Sequence, residues 1–364
     1  MSSTASSRLG RTRGDVERVA GRATDVAGLF EGVAGVVGDV LPVSGWCAHT
    51  LDPTTAMVTG GVAHEGYRAD LVPRLLEIEY VVGDVNPFDE LLHQPSPAGV
   101  LHDATDGEPT RSLRYTDVMV PSGIEHELRV VLRHQQRPWG ALVLLRDPDG
   151  PAFTARERDA VAGLGPTLAL SLKRMLLRGF VDSGGVPEHA GLLVIGADGD
   201  VESATTEAEH WLDDLRDHDG AVPLPVRALA SSAGDADGRA VRARARGRSG
   251  TWLTLTAWRL GDRVAVSMES AAPHDLTALA LEAYSLSPRE REIVELVLLG
   301  WSTAEIGTRL HLSPYTVQDH LKTVFDKTGV RSRRELAADL FFRHYLPRIE
   351  RGARLNADGW FADD

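Results

Sequence analysis

The residues best placed to do chemistry lie between Pro314 and Thr328. Wound at 100° per residue, Val317, Leu321, Val324 and Phe325 fall on one side of a helix, and Tyr315, Asp319, Lys322 and Asp326 on the other, with Gln318 flanking. The apolar side can anchor. The polar side carries a phenol, an amide, carboxylates and an ammonium, and so offers donors and acceptors to whatever lies against it. The common catalytic arrangements are missing by comparison. Thirteen histidines supply no His-Glu-x-x-His pair, and there is neither a Gly-x-x-x-x-Gly-Lys phosphate loop nor a Gly-x-Ser-x-Gly elbow. Cys47 is the only cysteine, which excludes an intramolecular disulfide, a cysteine zinc site and a c-type haem attachment. It reads as a buried small hydrophobe rather than a thiol sensor. Asp198, Asp200, Glu202 and Glu209 imitate part of a calcium loop, but Ser203 stands where the sharp turn needs glycine, so a turn followed by a helix cap is the better reading. Arg242, Arg244, Arg246 and Arg248 alternate so as to put four cations on one strand face. That ladder is either a solvated face or a phosphate or nucleic-acid contact. No enzyme and no cofactor follow from these residues.

Charge restricts the choice further. The 364 residues carry 39 Lys plus Arg against 52 Asp plus Glu, a net charge of -13, which repels nucleic acid and anionic lipid unless positive charge is gathered locally. It is gathered: residues 284–348 hold ten basic and eight acidic side chains. Composition is otherwise that of a folded globular chain, with 43% hydrophobic and 25% charged residues, and at this length two to three domains are expected. The Ser- and Arg-rich start lacks the apolar core of an export signal, and no run approaches the ~18 apolar residues of a membrane span. The expectation is a cytoplasmic protein without a membrane partner.

Within 284–348, three Ser-x-x-Glu runs, Ser287 to Glu290, Ser302 to Glu305 and Ser332 to Glu335, each precede an apolar periodic stretch. In such a box the serine oxygen takes the third helical amide and the glutamate reaches back to the cap amide, so three helix starts are marked. Ser313-Pro314 marks a fourth, with proline at a first helical position that needs no N–H partner. Residues 304–310 and the helix from Pro314 are separated only by His311-Leu312-Ser313, and two short helices joined so tightly are the geometry of a helix-turn-helix.

These residues resemble the LuxR-type helix-turn-helix of bacterial transcription regulators. The likeness is carried by Leu286-Ser287-Pro288-Arg289-Glu290-Arg291-Glu292, by Gly300 closing the first helix, and by Ser302, Glu305 and Ile306. Leu310, Leu312-Ser313-Pro314, Thr316-Val317, His320 and Lys327-Thr328-Gly329-Val330-Arg331-Ser332-Arg333 complete it. It covers under a fifth of the chain. The resemblance implies an all-α four-helix domain that binds double-stranded DNA. Thr316 and nearby basic residues would touch phosphate, while Gln318, Asp319 and Lys322 would face base edges, and Tyr315, Thr323, Lys327, Arg331, Arg333 and Arg334 complete the expected interface. One position departs from the family, which usually carries Lys or Arg where this chain has Gln318. The amide suits adenine, and Asp319 can accept from cytosine N4 but repels phosphate. Attraction then rests on Lys322, Arg331, Arg333 and Arg334, so modest affinity per monomer and a homodimer on paired half-sites are expected. The alternative is a helix-turn-helix that serves protein docking or dimerisation.

The elements before this domain read as follows. Residues 1–14 form a flexible tail, and apolar residues at three- and four-residue steps from Val16 to Val40 make one amphipathic helix that Pro42 stops. Strands follow at 45–49, 57–62, 127–133 and 141–146, the last two a hairpin connected through 134–140. Residues 154–177 return to helical spacing. After a joint at 182–187 come a strand at 192–195, a turn at 197–200, a helix at 204–215 and strands at 251–260 and 263–267. Residues 15–180 resemble a GAF domain, through Glu127 to Leu132, Pro138-Trp139-Gly140 and Ala141 to Leu145. Residues 188–270 resemble a PAS-like domain, through Gly191 to Ile195, Asp198-Gly199, Ala208-Glu209 and Trp211-Leu212. The whole is a multidomain α+β chain: two sheet domains, a linker at 271–283, the helix-turn-helix at 284–348 and a tail at 349–364. Sheet domains of this kind hold ligands between sheet and helices. Trp46, Cys47, His49, Tyr80, Phe88 and His102 are the candidate lining, each equally readable as packed core or surface. The composite expectation is a one-component transcription regulator whose sensory part takes a small-molecule effector, with RNA polymerase as a further candidate partner.

Overall fold

The computed structural model describes residues 2–64, 66–134, 136–177, 189–216, 222–233, 239–271, 286–298, 300–328 and 330–336, with side chains from Thr12 onward except at 63, 64, 177, 295 and 298. The expected joint at 182–187, the linker beyond residue 271, residues 337–348 and the tail at 349–364 lie outside the described residues. The chain divides into two compact units, Met1–Ser270 and Ala271–Asp364. The architecture is α+β, with two five-stranded antiparallel sheets in the first unit and helices in the second.

Helix α1 spans Ser2–Arg22, through the segment read as a flexible tail, and α2 spans Val26–Gly38. The single helix expected over 16–40 is therefore two. Asp25 breaks it: its backbone is extended, and its carboxylate accepts the Gly28 N–H at 2.8 Å as the N-cap of α2. Strands β1 (Gly45–Leu51) and β2 (Val58–His64) follow, then helices α3 (Val72–Glu77), α4 (Phe88–His93) and α5 (Leu101–Ala104) with strand β3 (Ala98–Val100) between the last two. The hairpin of β4 (His126–His134) and β5 (Arg137–Arg146) is tighter than expected. His134 pairs with Arg137 and Arg133 with Pro138, so Pro138 and Gly140 lie in the strand and not in its connection. Proline is tolerated there because the register shifts between Leu132 and Arg133. Helices α6 (Ala155–Ala162) and α7 (Gly165–Leu177) replace the single helix expected over 154–177; a Thr154–Glu157 capping box starts the first.

The first sheet has the order β2-β1-β5-β4-β3. One face meets α7, where Leu168, Leu172 and Leu176 are buried, and the opposite face packs Cys47, Val131, Ala141 and Val143 against Leu76, Phe88, Leu91 and Leu101. The second sheet comprises β6 (Gly191–Ile195), β7 (Val201–Ala204), β8 (Val241–Arg246), β9 (Trp252–Leu260) and β10 (Arg263–Ser270) in the order β7-β6-β10-β9-β8. The expected helix at 204–215 begins later, as α8 (Thr206–Leu215), because β7 takes the preceding residues and Thr205 caps the helix. Helix α9 (Leu224–Ala233) packs on β8 and β9 and also on β2 and α3, so one apolar core runs through both sheets. Of the four ladder arginines Arg242 is exposed, and the other three are bonded within the chain. Arg244 donates to the buried Asp52 from its backbone at 3.0 Å and its guanidinium at 3.1 Å, Arg246 donates to the Gly250 carbonyl at 3.2 Å, and Arg248 lies in the turn beyond β8, bonded to the Asp213 carbonyl. Glu202 of the imitation calcium loop is spent on Arg263, 2.5 Å away.

The second unit contributes α10 (Pro288–Leu298), α11 (Thr303–Leu310) and α12 (Pro314–Thr328), then a helical turn at 333–336. Its core is Leu286, Ile293, Val294, Val297, Ile306, Val317, Leu321, Val324, Val330 and Leu336.

Candidate nucleic-acid interface

Serine caps fix the helix starts where the sequence marks them. Ser287 and Glu290 exchange bonds of 2.7 and 3.2 Å, and Ser302 and Glu305 bonds of 2.7 and 3.3 Å. The Ser302 hydroxyl and backbone hydrogen bonds hold the Glu305 carboxyl below its ordinary pKa. Ser332 accepts the Glu335 N–H at 3.1 Å, while Glu335 reaches back to the Arg331 N–H at 2.8 Å. Ser313 accepts the Thr316 N–H at 3.1 Å, with Pro314 at the first position of α12. Gly300, at φ +84°, ends α10: its N–H reaches the Val297 carbonyl while the Trp301 N–H reaches that of Leu296, a Schellman closure. The α11–α12 turn passes through His311 at φ +56°, and a Cβ on Gly307 would stand 2.8 Å from the Leu312 carbonyl oxygen. Glycine at that position lets the chain reverse so closely.

Helix α12 lies as its periodicity predicts. Val317, Leu321 and Val324 are buried in the core, and Phe325 packs beside them. Tyr315, Gln318, Asp319, Lys322 and Thr323 are exposed, Tyr315 to 83%. Thr316 is half-buried and shares a 2.8 Å bond with Ser313, and the Thr323 hydroxyl donates to the Asp319 carbonyl at 3.1 Å. Arg331 and Arg334 are exposed, and neither they nor Lys322 forms an ion pair with a described residue. Two expected contacts are engaged within the domain. Lys327 places its Nζ 2.6 Å from Glu290 Oε2, and Arg333 donates to the Trp301 carbonyl. Sequence reasoning also passed over Arg309, exposed in the last turn of α11; its signal was a lone cation just before the turn.

The candidate pocket residues of the first sheet divide. Cys47, His49, Tyr80 and Phe88 come together on one face: the His49 and Phe88 rings are 6.2 Å apart, and the Tyr80 hydroxyl accepts the Val58 N–H at 3.0 Å. Trp46, one residue along β1 from Cys47, is buried on the other face, and His102 is exposed on α5. The companions missed from sequence are charged. Arg114 and Glu127, each 1% exposed, meet at 2.9 Å, Tyr67 donates to Glu127, and Arg129 bonds Glu79 at 2.8 Å while lying 3.9 Å over the Phe88 ring. Burial pushes the Cys47 thiol up to about 12, and burial together with Arg129 lowers His49 to about 4, so both are neutral at pH 7. Burial opposes the Glu127 charge, yet Arg114, Arg129 and the Tyr67 bond hold its pKa below the usual value. Alternation of Glu127 and Arg129 along a strand is the faint signal that both turn inward.

A capped, packed pair of helices joined by so short a turn, with one polar helix face outward, has the geometry of a helix-turn-helix. The family described as bacterial regulatory proteins, luxR family, matches residues 284–339. The spore germination protein GerE of Bacillus subtilis is 36% identical over 55 residues, which are 15% of this chain and 74% of GerE. The chain belongs to the luxR family through this C-terminal segment. Putative HTH-type transcriptional regulators of Mycobacterium bovis and Mycobacterium tuberculosis are 50% identical over 52 residues, 14% of this chain, and the match spans only 6% of their length. Escherichia coli SdiA aligns over 92% of this chain and 97% of its own at 12% identity, with a TM-score of 0.34, too low to equate the folds. No helix among the described residues is long and apolar enough to cross a membrane.

Proposed function

We propose that this protein is a cytoplasmic, homodimeric DNA-binding transcription regulator in which α12 enters the major groove. The observation that carries the reading is the outward polar face of α12, held by a buried Val317, Leu321 and Val324 stripe. Gln318, Asp319 and Lys322 face base edges, with Tyr315 beside them. Thr316, Thr323, Arg331 and Arg334 border the groove and serve phosphate. Two copies bind paired half-sites, since the few cations left exposed on each give modest attraction. The two sheets act as GAF-like and PAS-like sensory or assembly modules. A small-molecule effector would work by shifting how often two α12 helices stand at operator spacing. RNA polymerase is the partner through which such a regulator would act.

Selection of random duplexes by the full chain, followed by salt titration on the selected site, tests this. Log affinity should fall linearly with log salt, and Lys322→Ala should weaken binding by ~1–3 kcal/mol. Affinity that ignores both salt and Lys322 would instead favour a protein-docking helix-turn-helix.

A further inference from the structure

We infer that Lys327 acts on DNA through Glu290, as a positioning residue that sets the pose of α12, and makes no phosphate contact of its own. The inference rests on the DNA-reading assignment of α12. Lys327 sits in the last turn of that helix, its Nζ 2.6 Å from Glu290 Oε2. Glu290 belongs to α10 and is already committed there. The same carboxylate oxygen accepts the Ser287 N–H at 2.7 Å, and the Glu290 N–H goes to Ser287 Oγ at 3.2 Å. One buried carboxylate therefore ties the start of α10 to the end of α12. The tie fixes the end of the reading helix opposite to its Ser313 cap, so the two together set the angle at which Gln318 and Lys322 are presented.

The charge balance makes this commitment hard to exchange for phosphate. The Glu290 side chain is 7% exposed, against 30% for Lys327. Burial disfavours the Glu290 charge, but the Lys327 bond and those from Ser287 hold its pKa below the ordinary carboxylate value. Turning Lys327 outward would leave that carboxylate desolvated without its counter-charge, whereas an exposed ammonium gains comparatively little from a solvated phosphate. Lys322, Arg331 and Arg334 carry no such obligation among the described residues.

Salt dependence separates positioning from contact, because a lost phosphate contact changes the slope of log affinity against log salt and a lost pose does not. The test uses the full chain on its selected operator, by fluorescence anisotropy across a salt series. Lys327→Met should bind about tenfold more weakly, the scale of one misread base pair, with the wild-type slope. Arg331→Gln, the phosphate control, should lower the slope by ~0.9 per subunit. Glu290→Gln supplies a test of opposite sign. Glutamine keeps the capping box but removes the charge that holds Lys327, so positioning predicts weaker binding, while charge counting predicts tighter binding on losing a negative residue. A slope reduced by ~0.9 per subunit in Lys327→Met, or tighter binding by Glu290→Gln, overturns the inference. A wild-type chain whose affinity ignores salt overturns the DNA reading beneath it, a result distinct from either.

Discussion

The two units differ in how their cations are committed. In the sheets, ionic side chains turn inward and pair: Arg114 with Glu127, Arg129 with Glu79, Arg244 with Asp52, and Arg146 with Glu157 at 2.7 Å. In the helix-turn-helix, Lys322, Arg331 and Arg334 stay at the surface without an ion-pair partner among the described residues. A buried pair constrains which residues can meet and adds little net stability, while an exposed, uncommitted cation is available to a partner. Counting basic residues along the sequence therefore overstates the footprint. The four-arginine ladder of the second sheet is largely structural, and even inside the helix-turn-helix Lys327 and Arg333 are occupied.

The contrast is broken most forcibly in the first sheet. Arg114→Met removes the guanidinium that bonds both Glu127 oxygens and leaves a buried carboxylate facing Tyr67. The expected loss is about 3–5 kcal/mol in urea unfolding of the full chain, with operator salt dependence unchanged for whatever fraction stays folded. A loss below ~1 kcal/mol would place Arg114 in the surface class instead.

His49 gives the next largest effect, and its sign is fixed. Its pKa is lowered to about 4 in the folded chain from 6.5, so between those values the unfolded chain binds the proton and the folded chain does not. Stability therefore rises with pH across this window and is lost on acidification, by on the order of 3 kcal/mol in full. Most carboxylate effects fall below about pH 4.5. Unfolding curves at pH 4.5, 5.5 and 6.5 should show a smaller slope for His49→Phe than for wild type. Equal slopes would mean that the imidazole is not held neutral.

What was legible in the sequence follows the same division. The helix-turn-helix could be read nearly residue by residue, because its caps, its closing glycine and the two faces of α12 are local devices with fixed spacing. The strands were found where apolar runs were long. The short β3 and β7 were not, since three or four residues carry too little periodicity. Breaks inside long amphipathic stretches were missed where a single cap, Asp25, or a Gly-Leu-Gly-Pro stretch at 163–166 overrode continuous spacing. The buried ion pairs were invisible because no local periodicity joins their members, whether 13 positions apart, as for Arg114 and Glu127, or 192, as for Asp52 and Arg244. For the candidate pocket, β1 alternation explains why Cys47 and His49 share a face and Trp46 leaves it, but no periodicity places His102 on the surface.

The smallest expected effect on folding is at the most exposed large hydrophobic side chain of α12. Tyr315 is 83% exposed and packs on none of the helix-turn-helix core, so Tyr315→Ala should change unfolding free energy by no more than about 0.5 kcal/mol. Operator affinity should nonetheless fall several-fold, because the ring stands on the outward face of α12 proposed to meet DNA, and its removal takes contact area from that face. Paired urea and anisotropy measurements on one preparation make the comparison direct. A variant that loses stability and binding together would mean that the ring is packed within the assembled protein, and the face assigned to DNA would then have to begin at Gln318.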